Sequence, residues 1–383
     1  MKNKIQIYAP LSKNGGREIE TGFIASVLEK KYEVVITSLG NYYEDSDLKY
    51  IEKTIVFNSL NKKIYEKNLL VKITADLISF FKKNYMPNHF RISNGLVKRV
   101  YGIEKKKFKI LKDENKVSNL IFICAQLSTS YVKKIIQMSK ENNIPVIFRT
   151  TGTIKQKKNL DWCLDVKKFI HHSEANAKIL ENRISTNYEI IDQCSLSERK
   201  LLSNTKISKK INNFLVVSRL TEEKQIDRII KAFNQVSDEK DLLIIYGEGP
   251  LDDYLRDLAK MNNRIIFKGF INNSKIDTVF KEADCFIISS KEEAGPITAI
   301  EAMAAGKVII STKVGAMQER FNNLCFWYDG SVSDLKVKMK MVKKMDHQAI
   351  TERYYQMRNL YLNNHSVKKI TNQYLKSISI LIK

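Results

Sequence analysis

Short apolar runs, each followed by a polar or amphipathic stretch, punctuate this chain of 383 residues from end to end. The first half holds IQIYAP, YEVVIT, TIVFN, LIFICAQ, PVIFRT, KFIHHS and YEIID, and the second FLVVS, DLLIIYG, RIIFKGF, CFIISS, KVIIST and LCFWYD. Apolarity that is continuous rather than alternating marks strands buried on both faces. Between the runs, apolar residues recur at helical spacing, as Ile19, Phe23 and Val27 do, and again Ile226, Ile229, Ile230 and Phe233. Alternation of such strands with helices predicts parallel α/β sheets.

The alternation breaks once, at 194–212, which is polar, basic and strandless, and after Asp329 only helical patterns remain. The expected organisation is an N-terminal Rossmann-like domain over 1–193, a linker over 194–212 and a second Rossmann-like domain over 213–330. Helices follow over 331–383, and the last of them can pack back on the N-terminal domain. This length suits two domains. In doubly wound parallel sheets ligands bind outside the carboxyl ends of the strands, so a cleft faced by both domains is the expected site.

Composition removes several classes. Apolar residues make up 43%, enough for real cores. The five cysteines (Cys124, Cys163, Cys194, Cys285, Cys325) stand singly, which argues against a disulfide or metal framework and fits a reducing cytoplasm. The N-terminus lacks a signal-like apolar core, and no run reaches the ~20 residues that span a bilayer. The net charge is +23, and residues 51–150 carry 20 Lys and Arg against 7 Asp and Glu. That excess points to polyanionic partners or to a solvated lysine-rich face. Within it, 80–110 interleaves Phe, Tyr, Met and Leu with Lys and Arg, including Lys105, Lys106 and Lys107, so contact with an anionic membrane surface is expected there.

Four stretches carry candidate chemistry. In KEEAGPITAIEAMAAGKVIIST, 291–312, Pro suits a helix start and Gly306 the residue past its end, which predicts a helix over Pro296–Ala305. Its first amides point over the strand end, an anion site. Glu293 precedes this helix and Glu301 lies on it; from the local sequence alone an exposed helix charge remains an equal reading of Glu301. In NFLVVSRLTEEKQIDRIIKAF, Arg219 directly follows a buried strand and Lys224 precedes a helix. Two fixed cations there suit a diphosphate whose charge grows as a bond breaks, although loops commonly carry such residues. Gly247 and Gly249, in IIYGEGP, permit a tight strand-to-helix turn near a ligand, and Gly15 and Gly16, in APLSKNGGREIE, a close backbone approach. Neither is a dinucleotide fingerprint or a Walker motif.

Taken in order, VSRLTEEKQIDRIIKAF, IIYGEGP, IIFKGFI, ADCFIISS and EEAGPITAIEAMAAGKVIISTKVGAMQE resemble the glycosyltransferases of family 4, which have the GT-B fold. The likeness covers the C-terminal half and, more faintly, the N-terminal half. It implies transfer of a sugar, with retention at the anomeric carbon, from a nucleotide-sugar such as a UDP- or GDP-sugar, with no cofactor and no obligatory metal. It implies that Arg219 and Lys224 bind the diphosphate, Glu293 meets the donor sugar and Glu301 the ribose hydroxyls. Gly15, Gly16, Gly247, Gly249, Ala294, Gly295, Pro296 and Ile297 would complete the donor site, with Arg149 and Thr151 on the acceptor side. The acceptor would be a glycan or lipid-linked, in surface polysaccharide or glycolipid synthesis. The enzyme would be cytoplasmic and peripheral on the inner face of the membrane.

The chain departs from the family pattern at three places. Ala294-Gly295-Pro296 replaces Gly-Phe-Gly, Lys307 replaces a common Pro, and Thr151 stands where many relatives place His. His171 and His172, on a later apparent strand, read as structural. No base is identified on the acceptor side, and the leaving phosphate can take the acceptor proton. The same chemistry on a soluble or protein acceptor is the alternative. A nucleic-acid-binding protein would explain the charge, but its motifs are missing from the sequence, and no nucleic acid is expected.

Overall fold

The computed structural model describes residues 2–13, 15–41, 48, 55–81, 88–154 and 159–382. Two compact units emerge, one of residues 1–171, 177–191 and 371–383, the other of 172–176 and 192–370. Residues 194–212, read from composition as a linker, therefore belong to the second unit. They contain a helix, Glu198–Leu202, whose Leu201 is buried.

The first unit is a seven-stranded sheet in the order β3-β2-β1-β4-β5-β6-β7, parallel throughout. Its strands are β1 Lys4–Ala9, β2 Glu33–Ser38, β3 Val56–Ser59, β4 Leu120–Ala125, β5 Val146–Thr150, β6 Lys168–His171 and β7 Tyr188–Ile190. All six residues of β4 are buried, as its unbroken apolar run requires. The C-terminal residues of the chain complete this unit. Tyr374 is buried edge-on to Phe23 and close to Phe122, and Ile378 is buried too.

The second unit holds six parallel strands in the order β10-β9-β8-β11-β12-β13. They are β8 Asn213–Val217, β9 Leu242–Tyr246, β10 Ile265–Gly269, β11 Cys285–Ile288, β12 Val308–Thr312 and β13 Phe326–Tyr328. Both sheets reverse direction of growth once, between β1 and β4 and between β8 and β11. Such a switch point leaves a crevice at the strands' carboxyl ends.

The helix expected at Pro296–Ala305 is Ile297–Ala304, with Pro296 and Ala305 as its caps. Ala299, Ala302, Ala304 and Ala305 are fully buried. Their smallness serves two surfaces rather than the sheet alone: the helix shares its core with Phe286 and Ile309 on one side and with Met357 and Tyr361 of helix His347–Asn364 on the other. A Cβ on Gly306 would lie 2.4 Å from the Tyr354 ring, so this turn needs glycine for space as well as for its φ of 68°.

Part of the basic stretch 80–110 lies outside the described residues. Of the rest, Phe90, Ile92, Val97 and Ile103 are core, not surface. Lys107 is buried beside Glu104 and the Tyr131 ring, and burial lowers its pKa. The expectation that Lys107 faces a membrane is corrected accordingly.

Candidate functional site

The switch point of the second unit brings two distant loops together. Because β8 and β11 are neighbours, the residues after Val217 meet those after Ile288. Ser289 Oγ donates to the Lys224 carbonyl (2.5 Å), and the Lys291 amide donates to the Glu223 carbonyl (2.8 Å). On this stitched edge Lys224 Nζ forms an ion pair with Glu293 Oε1, to which Ser290 Oγ also donates. Arg219 reaches outward instead. Its side chain is 76% exposed and, among the described residues, forms an ion pair with Glu223 alone, at 3.8 Å.

Gly247 and Gly249 act one layer beneath. A Cβ on Gly247 would fall 1.7 Å from the Ser218 carbonyl oxygen, and one on Gly249 2.4 Å from that of Leu220. The Leu220 amide bonds the Glu248 carbonyl (3.0 Å) and the Leu251 amide the Leu220 carbonyl (3.0 Å). These glycines thus let one backbone lie flat against the loop that carries Arg219.

The 293–296 loop is fixed from three sides. The Ala294 carbonyl accepts from Asn176 Nδ2 and from the Ala316 amide, both at 2.8 Å. Gly315, with φ of 50°, leaves room for it, since a Cβ there would lie 2.2 Å from the Ala294 oxygen. Arg320 Nη1 donates to the Pro296 carbonyl (2.9 Å), and a Cβ on Gly295 would meet Arg320 Nη2 at 2.5 Å. That guanidinium is itself held by Asp192, Nε to Oδ2 at 2.9 Å and Nη2 to Oδ1 at 2.5 Å, and by Gln193 Oε1 at 3.1 Å. Burial alone would raise the Asp192 pKa, but Arg320, aided by His365, holds it well below the usual carboxylate range. Arg320 is fully desolvated, which makes this pair the anchor of the loop.

Glu301 is not an exposed helix charge. It is fully buried, and burial pushes its pKa up to about 7 against the pull of two hydrogen bonds. Asn273 Nδ2 (3.0 Å) and Ser195 Oγ (3.3 Å) both donate to Oε1, while Oε2 has no hydrogen-bond partner among the described residues. A buried carboxylate oxygen left so is costly.

A cavity of about 610 Å³ opens on the next part of this edge, lined by Arg228, Ser290, Lys291, Thr312, Lys313 and Trp327 among others; Arg219, Glu293 and Glu301 do not line it.

The remaining sequence candidates lie in the first unit. Gly15 has φ of 151°, and a Cβ there would approach Glu18 Oε2 to 2.7 Å. Glu18 is buried in the first turn of helix Gly16–Glu29 and accepts from the Ser12 amide (2.7 Å) and hydroxyl (2.9 Å), which orders the loop after β1. Asn14 of this loop lies outside the described residues. At Gly16 a Cβ would meet nothing. Arg149, expected on the acceptor side, is fully buried. Its Nε donates to Glu20 Oε1 at 2.7 Å and its Nη1 to the Ile191 carbonyl at 2.5 Å, so it cannot reach an acceptor and is withdrawn from that role. Thr151 is buried and accepts from Arg17 Nε at 3.1 Å. His171 is buried against Phe169 and bonded to Thr150 Oγ1.

Sequence reading passed over Asp192, Ser195, Asn273, Gly315 and Arg320. Only Gly315, in the quoted KVGAMQE, carried a local signal; the others act through partners roughly 30 to 130 positions away.

Residues 197–352 match the family described as Glycosyl transferases group 1. An uncharacterized glycosyltransferase of Methanocaldococcus jannaschii is 36% identical over 109 residues, 27% of this chain and 28% of the relative. The alpha-monoglucosyldiacylglycerol synthase of Streptococcus pneumoniae is 30% identical over 151 residues, 36% of this chain and 34% of the relative. The aligned segments thus span about a third or less of these relatives. Over almost the whole length, the Anabaena protein Alr3699/HepE, solved in complex with UDP, superposes with a TM-score of 0.68 at 14% identity, covering 98% of this chain and 99% of that one. This last likeness is one of fold. Two parallel Rossmann-like sheets with flanking helices are the GT-B architecture, and the matched residues 197–352 hold Arg219, Lys224, Glu293 and Glu301.

Proposed function

We propose that this chain is a retaining glycosyltransferase that moves a sugar from a nucleoside-diphosphate sugar to a glycan or lipid-linked acceptor at the inner face of a membrane, in surface polysaccharide or glycolipid synthesis. The observation that carries the reading is Glu301, a fully buried carboxylate with one oxygen held by Asn273 and Ser195 and the other without a hydrogen-bond partner among the described residues. Adjacent ribose hydroxyls supply donors for it. Arg219 and Lys224 then lie at the diphosphate and Glu293 at the donor sugar. As the bond from the anomeric carbon to the diphosphate oxygen breaks, the acceptor oxygen bonds that carbon. The acceptor proton passes to the leaving diphosphate, whose growing charge the two cations stabilise. The UDP bound by the relative of like fold supports a uridine nucleotide as the first ligand to test.

The test is calorimetry with UDP. Hydroxyl donors favour the ionised form of Glu301, whose pKa of about 7 means that the free chain must lose a proton below that pH in order to bind. Wild-type affinity is expected to fall as pH drops from 8 to 6, and Glu301→Gln to bind more weakly at pH 8 with a flatter profile. A UDP phosphate also titrates near ~6, so the difference between the two profiles is the readout. Identical profiles would remove Glu301 from the site. Glu293→Gln is expected to keep UDP affinity and lose sugar transfer.

The same residue sets a stability trade-off. Its carboxyl pKa is raised from 4.5 to about 7, so the folded chain holds the proton more tightly than the unfolded one. The associated stability is present below 4.5 and is lost as pH rises through about 7. Glu301→Gln carries no such loss. Relative to wild type it should gain about 2–3 kcal/mol between pH 4.5 and pH 8, read from ligand-free denaturant melts at both values.

With two side-chain cations at the diphosphate, turnover is expected to survive a chelator. Complete loss that is reversed by added metal would overturn that part of the reading.

A further inference from the structure

Helix Leu69–Phe81 of the first unit exposes an unusual surface. Leu69, Leu70, Ile73, Leu77, Phe80 and Phe81 are each 47–78% exposed. At about 100° per residue all six fall within one arc of roughly 120°. The opposite side, Val71, Ala75 and Ile78, packs on a core of Ile64, Ile92, Val97 and Ile103. Burial on one side and six large apolar groups in water on the other far exceed scattered surface hydrophobes.

The surroundings of this ridge are basic. Over 55–81 and 88–116 the chain has 13 Lys and Arg against 5 Asp and Glu. Lys63, Lys107 and Lys62 are engaged by Glu114, Glu104 and Glu66. Lys67, Lys72, Lys98, Arg99, Lys105 and Lys106 form no ion pair among the described residues. Thr74 Oγ1 bonds Tyr101 OH at 2.7 Å and Lys106 Nζ bonds Asn68 Oδ1 at 2.9 Å. These contacts hold the corner with Arg99, exposed Val100 and Lys106 beside the helix. No helix among the described residues is long and apolar enough to cross a membrane.

We propose that helix Leu69–Phe81 is an interfacial anchor that lies in the surface of an anionic bilayer, with its ridge among the upper acyl chains and the flanking cations at the headgroups. Apolar insertion and cationic attraction are the two signals that stable anchoring takes, and the cations round the rim match an anionic surface in charge. The proposal rests on the membrane-side acceptor of the preceding section for its purpose, but its evidence is independent. Vesicle binding is measured without sugar donor or acceptor, so its failure leaves the transfer chemistry standing.

The experiment is co-sedimentation of the full chain with vesicles of phosphatidylcholine alone or with 30% phosphatidylglycerol, at low and high salt. Wild type should bind the anionic vesicles, less so as salt rises. Ile73→Asp with Leu77→Asp should lower partitioning about tenfold or more, and Arg99→Glu with Lys106→Glu should weaken only the salt-dependent part. In Phe80→Trp, tryptophan emission should shift blue on binding and be quenched by lipids brominated in the upper acyl chain; this readout stands even if the aspartate variant fails to fold. Absence of binding, equal binding to both vesicle types, or no quenching would overturn the proposal. So would a wild-type dimer that the aspartate variant converts to monomer without any vesicle binding, because the ridge would then be covered by a second copy.

Discussion

Arg320→Ala is expected to lower the stability of the second unit by about 3–5 kcal/mol. Arg320 is desolvated and forked onto Asp192, with its remaining donors on Gln193 and the Pro296 carbonyl. Its removal leaves Asp192 a buried carboxylate without its main counter-charge, and frees the loop between Glu293 and helix Ile297–Ala304. Lysine cannot restore two parallel bonds, so Arg320→Lys should recover little. The sign with pH is fixed. Asp192 is held below its ordinary 3.8, so the stability it contributes is present above that value and is lost as pH falls. Wild type and variant should therefore converge in acid. Denaturant melts at pH 7 and at about pH 2 test both statements. A loss under 1 kcal/mol at pH 7 would show that the pair does not anchor the loop. Asp192→Asn with Arg320→Ala should be less damaging than the sum of the two, since each single change strands the other partner.

Arg219→Ala is expected to slow sugar transfer by about 10²–10³ with no change in melting. The two halves of that statement have separate grounds. With its side chain 76% exposed and one weak surface neighbour, Arg219 contributes little to folding. Its position, directly after β8 at the switch point, is where a diphosphate would gather charge. Lys224→Ala should give a similar loss of rate but a small loss of stability as well, because Glu293 is then left without its partner. Steady-state rates with a UDP-sugar, together with thermal melts, separate the cases. A transfer rate for Arg219→Ala within twofold of wild type would remove Arg219 from the mechanism.

The strands were legible because burial on both faces leaves one mark, an unbroken apolar run, and helix Ile297–Ala304 because proline and glycine punctuate it. Its environment was not. From the local sequence Glu301 reads equally as a surface charge, until Ser195 and Asn273 are brought to it from 106 and 28 positions away. Arg149 shows the converse error: the resemblance places it on the acceptor side, but its partner Glu20 is 129 positions off and completes a buried pair. Composition also concealed helix Glu198–Leu202, which has one buried leucine in a polar stretch. In the run Lys105–Lys107 only the pattern of neighbouring helices decides which lysine turns inward. Such facts depend on long-range pairing, which local periodicity does not encode.

The first unit takes its last residues, from Thr371 onward, from the end of the chain, after an excursion of about 180 residues through the second. A ribosome adding about 5–20 residues per second needs roughly 10–40 s to cover that interval. Throughout it, Phe23 and Phe122 lack the Tyr374 ring that covers them. The unit made first is thus the last to be completed, and its seam at Phe23 and Phe122 stays uncovered until Tyr374 is made. A fragment ending at Ile191 would carry that open seam permanently, whereas the second unit is whole once Ile370 has emerged.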